Sequence, residues 1–418
     1  MPPKPYRGRS RVIVLAAVAL LTGARTYAQL PGEPIVFGDG RVTLGGDVSA
    51  TYGCAHGQGI AGCGEDVGFF NYTSYDDSLI RNFRIDLSAS VKAGEHISFL
   101  TEIRTDNLDT PQPYALYARI RPWRDRRFDI QIGRIPPSFG AFSRRPYPSD
   151  NMLIGYPLAY QYLTSLRSDA LPANSDELLR MRGRGWLSSF SVGDPTPRAG
   201  LPLVNALSWD TGVQVHAATD LVDVAASVTT GTLTKPLVRD NNGGKQVSGR
   251  VAVQPVQGLI LGTSLARGPF AARDVAVTAG LSTDDRSITQ TAWGADIEYS
   301  RGHYLVRAET VLSAWRVPLV RTPVIDLPLR AVATSIEGRY RVVPGLYGAM
   351  RWDHLGFSEI QGSTVRREWE APVTRIEAGI GYSLMHNLLL KVAYQHNDRD
   401  GGRVPTLGIT AAQLVYWF

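Results

Sequence analysis

The strongest constraint on this chain is a two-residue alternation, apolar against polar or small, that recurs from residue 41 to residue 418. Successive side chains of a strand point to opposite faces, so a period of two marks a sheet with two unlike sides. In FRIDLSASV, Phe83, Ile85, Leu87, Ala89 and Val91 oppose Arg84, Asp86, Ser88 and Ser90. WGADIEYS sets Trp293, Ala295, Ile297 and Tyr299 against Asp296 and Glu298. A soluble sandwich turns its polar face to water and its apolar face to a core. Here charges of both signs occupy the polar face in segment after segment, which suits a wet lumen with lipid outside. The alternation predicts an all-β chain folded as a transmembrane antiparallel β-barrel.

Sixteen segments carry the pattern, approximately 41–52, 80–91, 97–105, 113–121, 127–134, 207–218, 222–230, 246–254, 258–266, 289–300, 303–313, 331–342, 345–356, 373–384, 387–397 and 407–418. The gaps between them alternate. Short, turn-compatible links such as KAGEH, DL, PVQ, RG and VP give way to long ones, among them 53–79, 135–206, 267–288 and 314–330. Barrels of this kind have short periplasmic turns, long external loops and an even number of strands. The expected count is 16, with 18 as the alternative if 135–206 holds further strands.

Composition enters through the N-terminus. Lys4, Arg7, Arg9 and Arg11 precede the apolar run Val12–Leu21, which is too short to span a bilayer as a helix and reads as an export signal cleaved after Ala28. The expected organisation is a signal peptide over 1–28, a short periplasmic segment over 29–40, and a barrel over 41–418. Without the signal the chain carries 39 basic and 38 acidic residues, so a nucleic-acid reading based on the high isoelectric point loses its support. The final segment, LGITAAQLVYWF, places Leu414, Tyr416 and Phe418 on one face and resembles the terminal-strand signal by which the barrel assembly machinery recognises outer-membrane proteins. The expected location is the bacterial outer membrane, with its lipid as a partner. Trp293, Tyr299, Tyr304, Trp352, Tyr382, Tyr394 and Tyr416 are candidates for aromatic girdles at the membrane surfaces.

Several groups point to chemistry in the lumen. The inward faces carry Arg84, Arg104, Arg119, Arg250, Arg307, Arg339, Arg351, Arg375 and Lys391. Against them stand Asp47, Asp86, Glu102, Asp129, Asp210, Asp223, Asp296, Glu298, Glu309, Glu337, Asp353 and Glu377. Such opposed charges favour hydrated polar solutes and tune ion passage, or else pair across the lumen and stiffen the wall. Segment 135–206 is far longer than an ordinary connection. It either folds into the barrel as a constriction, lined by Arg144, Arg145, Arg180, Arg182 and Arg184, or lies outside as a cap or trimer latch. Cys54 and Cys63, with eight residues between them in a Gly-rich loop of an exported chain, are expected to form a disulfide. Metal binding with His56 is the lesser alternative, because two thiols and one imidazole leave a site short of a ligand.

At IQIGRIPPSFG (Ile130 to Gly140) the sequence resembles phosphate-selective (O/P type) and related specific porins, in which a Gly-Arg strand end runs into a Pro/Phe/Gly turn that opens the constriction loop. The resemblance implies a porin passing small hydrophilic solutes or ions, and a homotrimer. The other reading is a structural or surface-interaction barrel occluded by its long loop. No GxSxG, HExxH, P-loop or EF-hand motif is present, and the expectation is a non-enzyme without cofactor or metal. His216 and His303, at strand ends, are read as facing the lumen or the membrane surface.

Overall fold

The computed structural model describes residues 31–57, 60–63, 82–123, 127–206, 209–236, 242–280, 288–324, 328–402 and 404–418, without side chains at 57 and 60–63. The expected signal peptide lies outside the described residues, as does most of the first long loop. Among the described residues no helix is long and apolar enough to cross a membrane.

Each of the sixteen alternating segments forms a strand, with ends within three residues of those expected except that the first strand runs on to Gly57, five residues past its expected end. In chain order they are β1 (Val42–Gly57), β2 (Phe83–Lys92), β3 (Ile97–Asp106), β4 (Gln112–Ile120), β5 (Phe128–Ile135) and β6 (Asp210–Ala218). The chain continues through β7 (Val222–Thr229), β8 (Gln246–Val256), β9 (Leu259–Pro269), β10 (Thr289–Arg301) and β11 (Tyr304–Trp315). It finishes with β12 (Leu329–Val343), β13 (Leu346–Phe357), β14 (Val373–Met385), β15 (Leu388–Arg399) and β16 (Thr406–Trp417). Every strand pairs antiparallel with its neighbours in sequence, and β1 closes the ring by pairing with β16 from Asp47↔Trp417 to Gly57↔Leu407. The barrel therefore has 16 strands. Closure satisfies the backbone groups that an open edge would leave bare.

Two short pairings decorate β1. Ile35–Phe37 folds back on Val42–Leu44, and Ile60–Cys63 pairs with Cys54–Gly57, so that Cys54 and Cys63 stand directly opposite in the register. The last residue is held in the seam: the Gly46 and Phe418 amides each donate to the other's carbonyl at 3.0 Å. The Phe418 ring lies where a Gly46 Cβ would point and stacks on Tyr416 with centroids 5.9 Å apart.

Burial is inverted relative to a water-soluble protein. Arg351, Arg375 and Glu377 are 0% exposed, whereas Met385, Tyr304 and Ile380 on the outer face are 65%, 60% and 58% exposed. Water would favour the opposite sorting, so the outer face is built for an apolar surround. Aromatics gather on this face at the short-turn end, where Tyr304 packs on Tyr340 at 4.8 Å and Trp123 on Phe128 at 4.8 Å. Tyr299, Tyr382 and Tyr416 belong to this end; Trp293, Trp352 and Tyr394 sit higher on the wall.

Candidate functional site

Inside the barrel the dominant object is segment 135–206. Pro136 and Pro137 follow β5 and lack the amides that would continue its ladder, so the strand stops and the chain turns inward. Phe139 is fully buried, and Gly140 adopts φ +78° where a Cβ would collide with the Tyr160 hydroxyl. The path then touches wall after wall. Ser138 Oγ bonds Ser227 Oγ at 2.8 Å and Ser248 Oγ at 2.7 Å. The Ala141 and Phe142 amides donate to Glu309 at 2.8 and 3.3 Å, and the Tyr160 hydroxyl donates to the same carboxylate at 2.8 Å. Arg145 reaches Glu298 at 2.7 Å, and Tyr147 reaches Glu102 at 2.6 Å.

On the far wall, Lys391 donates to the Pro148 carbonyl at 2.5 Å, while Glu377 accepts from the Ile154 and Gly155 amides at 3.1 and 2.9 Å. Arg351 binds the Gly155 carbonyl and lies 2.5 Å from Glu377. Arg375 binds the Tyr156 carbonyl, Gln161 Oε1 at 2.9 Å and Asp353 at 2.6 Å, and Arg84 donates to the Tyr156 hydroxyl at 3.0 Å. An irregular backbone removed from water must find partners for its amides and carbonyls. The charged wall supplies them.

This divides the residues expected to line the lumen. Arg84, Arg104, Arg351, Arg375, Lys391, Asp86, Asp353 and Glu377 face inward but are at most 5% exposed, covered by the segment or by their ion-pair partners. Glu102, Glu337, Arg250, Asp47, Asp129 and Asp210 are buried as well. Arg119, Arg307, Arg339, Asp223, Glu298 and Glu309 stay partly open, and the Asp296 side chain is closed off by Arg250. His216 faces inward between Asp223 (2.7 Å) and Asp129 (3.4 Å), and His303 sits in a short turn beside the Arg341 carbonyl at 2.8 Å.

Open space survives in the short-turn half of the barrel. One cavity of about 330 Å³ lies between residues 141–145 and the β7–β12 wall, bordered by Arg144, Arg145, Arg250, Arg307, Asp223, Asp296, Glu298, Glu309 and Glu337. Its charges are mostly paired: Arg250 binds Asp296 (2.7 Å for one contact), Arg307 binds Glu298 at 2.8 Å, and Arg144 approaches Asp223 at 3.9 Å. A second cavity of about 390 Å³ lies between residues 147–150 and β1–β4. The long-loop half is filled instead. Leu158, Tyr160, Tyr162, Leu166, Leu171 and Leu178 pack with Trp315, Leu355, Trp369 and Val373 into one apolar core inside the barrel mouth.

The three arginines of RMRGRGW are not brought to the cavities. Arg180 and Arg184 are solvent-facing. Arg182 binds Asp400 at 2.9 Å and the Glu368 carbonyl at 3.2 Å, joining the segment to two long loops. They were expected beside Arg144 and Arg145, but the segment is long enough to cross the lumen and return to the rim before residue 180. Nearby, Glu370 accepts from the Ser165 amide at 2.7 Å and from the Gly183 amide; burial pushes its pKa up while these amides hold it down. Sequence reasoning did not single out Ser138, Tyr147, Tyr156, Tyr160 or Glu370. The tyrosines clustered in a proline-rich segment were the available signal.

Solved structures share this architecture. OmpT of Vibrio cholerae expressed in the outer membrane aligns with a TM-score of 0.53 and 12% identity, over 92% of this chain and 100% of that one. Salmonella typhi OmpF in complex with daunomycin gives 0.54 and 12%, over 92% and 100%. An anion-selective porin from Comamonas acidovorans gives 0.53 and 10%, over 90% and 99%. No family model and no curated protein matches the sequence. At such identities the likeness is one of fold: a closed antiparallel β-barrel.

Proposed function

We propose that the chain is an outer-membrane porin through which small hydrophilic solutes or ions diffuse, with segment 135–206 setting the width of the passage. The carrying observation is that the segment lies inside the barrel, pinned to charged side chains of β1–β3, β10, β11 and β13–β15, above water-accessible cavities with charged walls. Sixteen strands enclose an aqueous lumen when nothing fills it, and here the filling makes the native conductance small. The outward apolar face and the fold support placement in the outer membrane, reached with a signal peptide over 1–28. The Phe418 ring seated over Gly46 supports the terminal strand as the element read by the assembly machinery.

The second reading, a barrel occluded for surface interaction, is favoured by one observation, the apolar core that fills the long-loop half. Planar-bilayer recording separates the two. A porin conducts potassium chloride in its native form, whereas an occluded barrel stays silent until the segment is removed.

The Cys54–Cys63 disulfide belongs to the same proposal. Directly opposed residues of an antiparallel pair have Cα atoms about 4.5 to 5.5 Å apart, within the span of a disulfide. Mass spectrometry with and without reductant is expected to differ by two hydrogens; two free thiols in the oxidised sample would contradict the bond.

A further inference from the structure

One row of the outer wall breaks its apolar character. Arg267 of β9, Thr291 of β10, Ala314 of β11 and Arg330 of β12 stand side by side in the register, with both arginines exposed on the lipid-facing side. Arg316 lies two residues beyond Ala314 and is exposed as well, its amide donating to the Thr289 carbonyl at 2.9 Å. Among the described residues none of the three guanidinium groups has an ion-pair partner. Arg366 and Arg367 of a long loop, by contrast, meet Glu359 at 2.8 Å and Asp400 at 3.1 Å. Toward the short turns the next row on this face is wholly apolar: Leu265, Trp293, Leu312 and Val332 are 58%, 43%, 38% and 41% exposed. Arg330 and Tyr340 share this face of β12, ten residues apart, and Tyr340 belongs to the short-turn girdle. At about 3.4 Å per residue and a tilt of about 40° they stand about 26 Å apart along the barrel axis, close to the height of a lipid-facing apolar band. The arginines are therefore at the level where acyl chains give way to headgroups. A guanidinium there reaches out of the hydrocarbon for an anionic oxygen pair, and phosphate presents that geometry. Arg267 and Arg330 are three strand spacings apart, about 14 Å, too far for one phosphate to meet both.

We propose that Arg267, Arg316 and Arg330 form a docking site for an outer-leaflet glycolipid carrying two phosphate groups, one held by Arg267 and the other by Arg316 with Arg330, its acyl chains lying on the apolar row. Arg316 and Arg330 bracket the loop between β11 and β12, and that loop grips the infolded segment. Its Arg321 amide donates to the Ala173 carbonyl at 2.9 Å, and its Pro323 carbonyl accepts the Ser175 amide at 3.0 Å. A phosphate bridging the two arginines fixes both ends of the loop, so the lipid braces the segment from outside. The inference rests on the outer-membrane placement and not on conduction.

The test titrates the full barrel, purified in detergent, with diphosphoryl lipid A and counts bound lipid by native mass spectrometry. Saturable binding is expected that weakens at least tenfold in Arg267→Gln/Arg316→Gln/Arg330→Gln. Monophosphoryl lipid A should bind the native barrel several-fold more weakly, and phosphatidylcholine and inorganic phosphate should not compete. Arg134→Gln, on β5, where the guanidinium already donates to the Trp209 carbonyl at 3.0 Å, is expected to bind as the native barrel does. Equal binding by the triple variant, or equal binding of phosphatidylcholine, would overturn the site, and equal binding of the monophosphoryl lipid would overturn the assignment of two phosphates. All three side chains are exposed, so the triple variant should keep the native heat-modifiable gel shift. If it does not, Arg330→Gln alone serves, with a several-fold loss expected and no loss overturning the proposal. Hydrogen exchange at the Ser175 and Arg321 amides is expected to slow when the lipid is added to the native barrel and to stay unchanged in the variant; binding without that slowing would overturn the bracing. A barrel that is silent in planar bilayers yet binds the lipid would sink the porin reading alone. A conducting barrel with no preference for the diphosphoryl lipid would sink the docking site alone.

Discussion

Arg351 shows how a single side chain can serve wall and segment together. Its guanidinium lies within 3.3 Å of Glu337 and Asp353 and 2.5 Å of Glu377, and it also holds the Gly155 carbonyl. Removing one partner from a buried charged cluster costs about 3 to 5 kcal/mol, since the remaining charges lose their compensation. Arg351→Met is therefore expected to lower the unfolding temperature of the detergent-solubilised barrel and to raise its conductance by freeing residues 154–156. An unchanged melt would show that the cluster does not bear on stability. Gly46 makes a second prediction at this scale. A Cβ there would sit 2.6 Å from the Phe418 ring, so Gly46→Val displaces that ring from the closing seam. The folded, heat-modifiable fraction after refolding into detergent should fall to the level of Phe418→Ala; a native yield would show that the contact is dispensable.

Strands were readable element by element because alternation is local: one face apolar, one polar, bounded by turn residues. The fate of segment 135–206 was not. Alternation tells which way Arg375 or Glu377 points, but not that Tyr156 and Gly155, more than two hundred residues earlier, cover them. The charges of the inward face were legible as a set, and their division into covered and open members was not. Likewise nothing local distinguishes Arg145, which meets Glu298 in the lumen, from Arg182, which meets Asp400 at the rim. That rim contact has its own pH dependence. The hydrogen bond from Arg182 holds the Asp400 carboxyl below its ordinary value of 3.8. A lowered folded-state value contributes stability that is full above the ordinary carboxylate value and is lost as the pH falls below that value and through the folded-state one. Amide protection of residues 181–184, corrected for intrinsic exchange, should drop on acidification to about pH 3, below the ordinary carboxylate pKa. Asp400→Asn should already show the reduced protection at neutral pH. Equal protection in both proteins at both pH values would remove the latch from the account.

At the scale of the whole molecule, an inverted barrel encloses an infolded segment. The outer face is apolar, the inner face is charged, and much of that charge is used to hold irregular backbone where water would otherwise stand. β5 and β6 are paired from Ile135↔Asp210 onward, so a four-residue Gly/Ser turn can join Pro136 to Trp209 in place of the segment without straining the ring. The most direct measurement compares single-channel conductance of the native barrel with that of this excised form in planar bilayers. A small native conductance that rises several-fold on excision is the predicted result. Equal conductance in the two forms, or silence in both, would contradict the claim that the segment governs passage through this barrel.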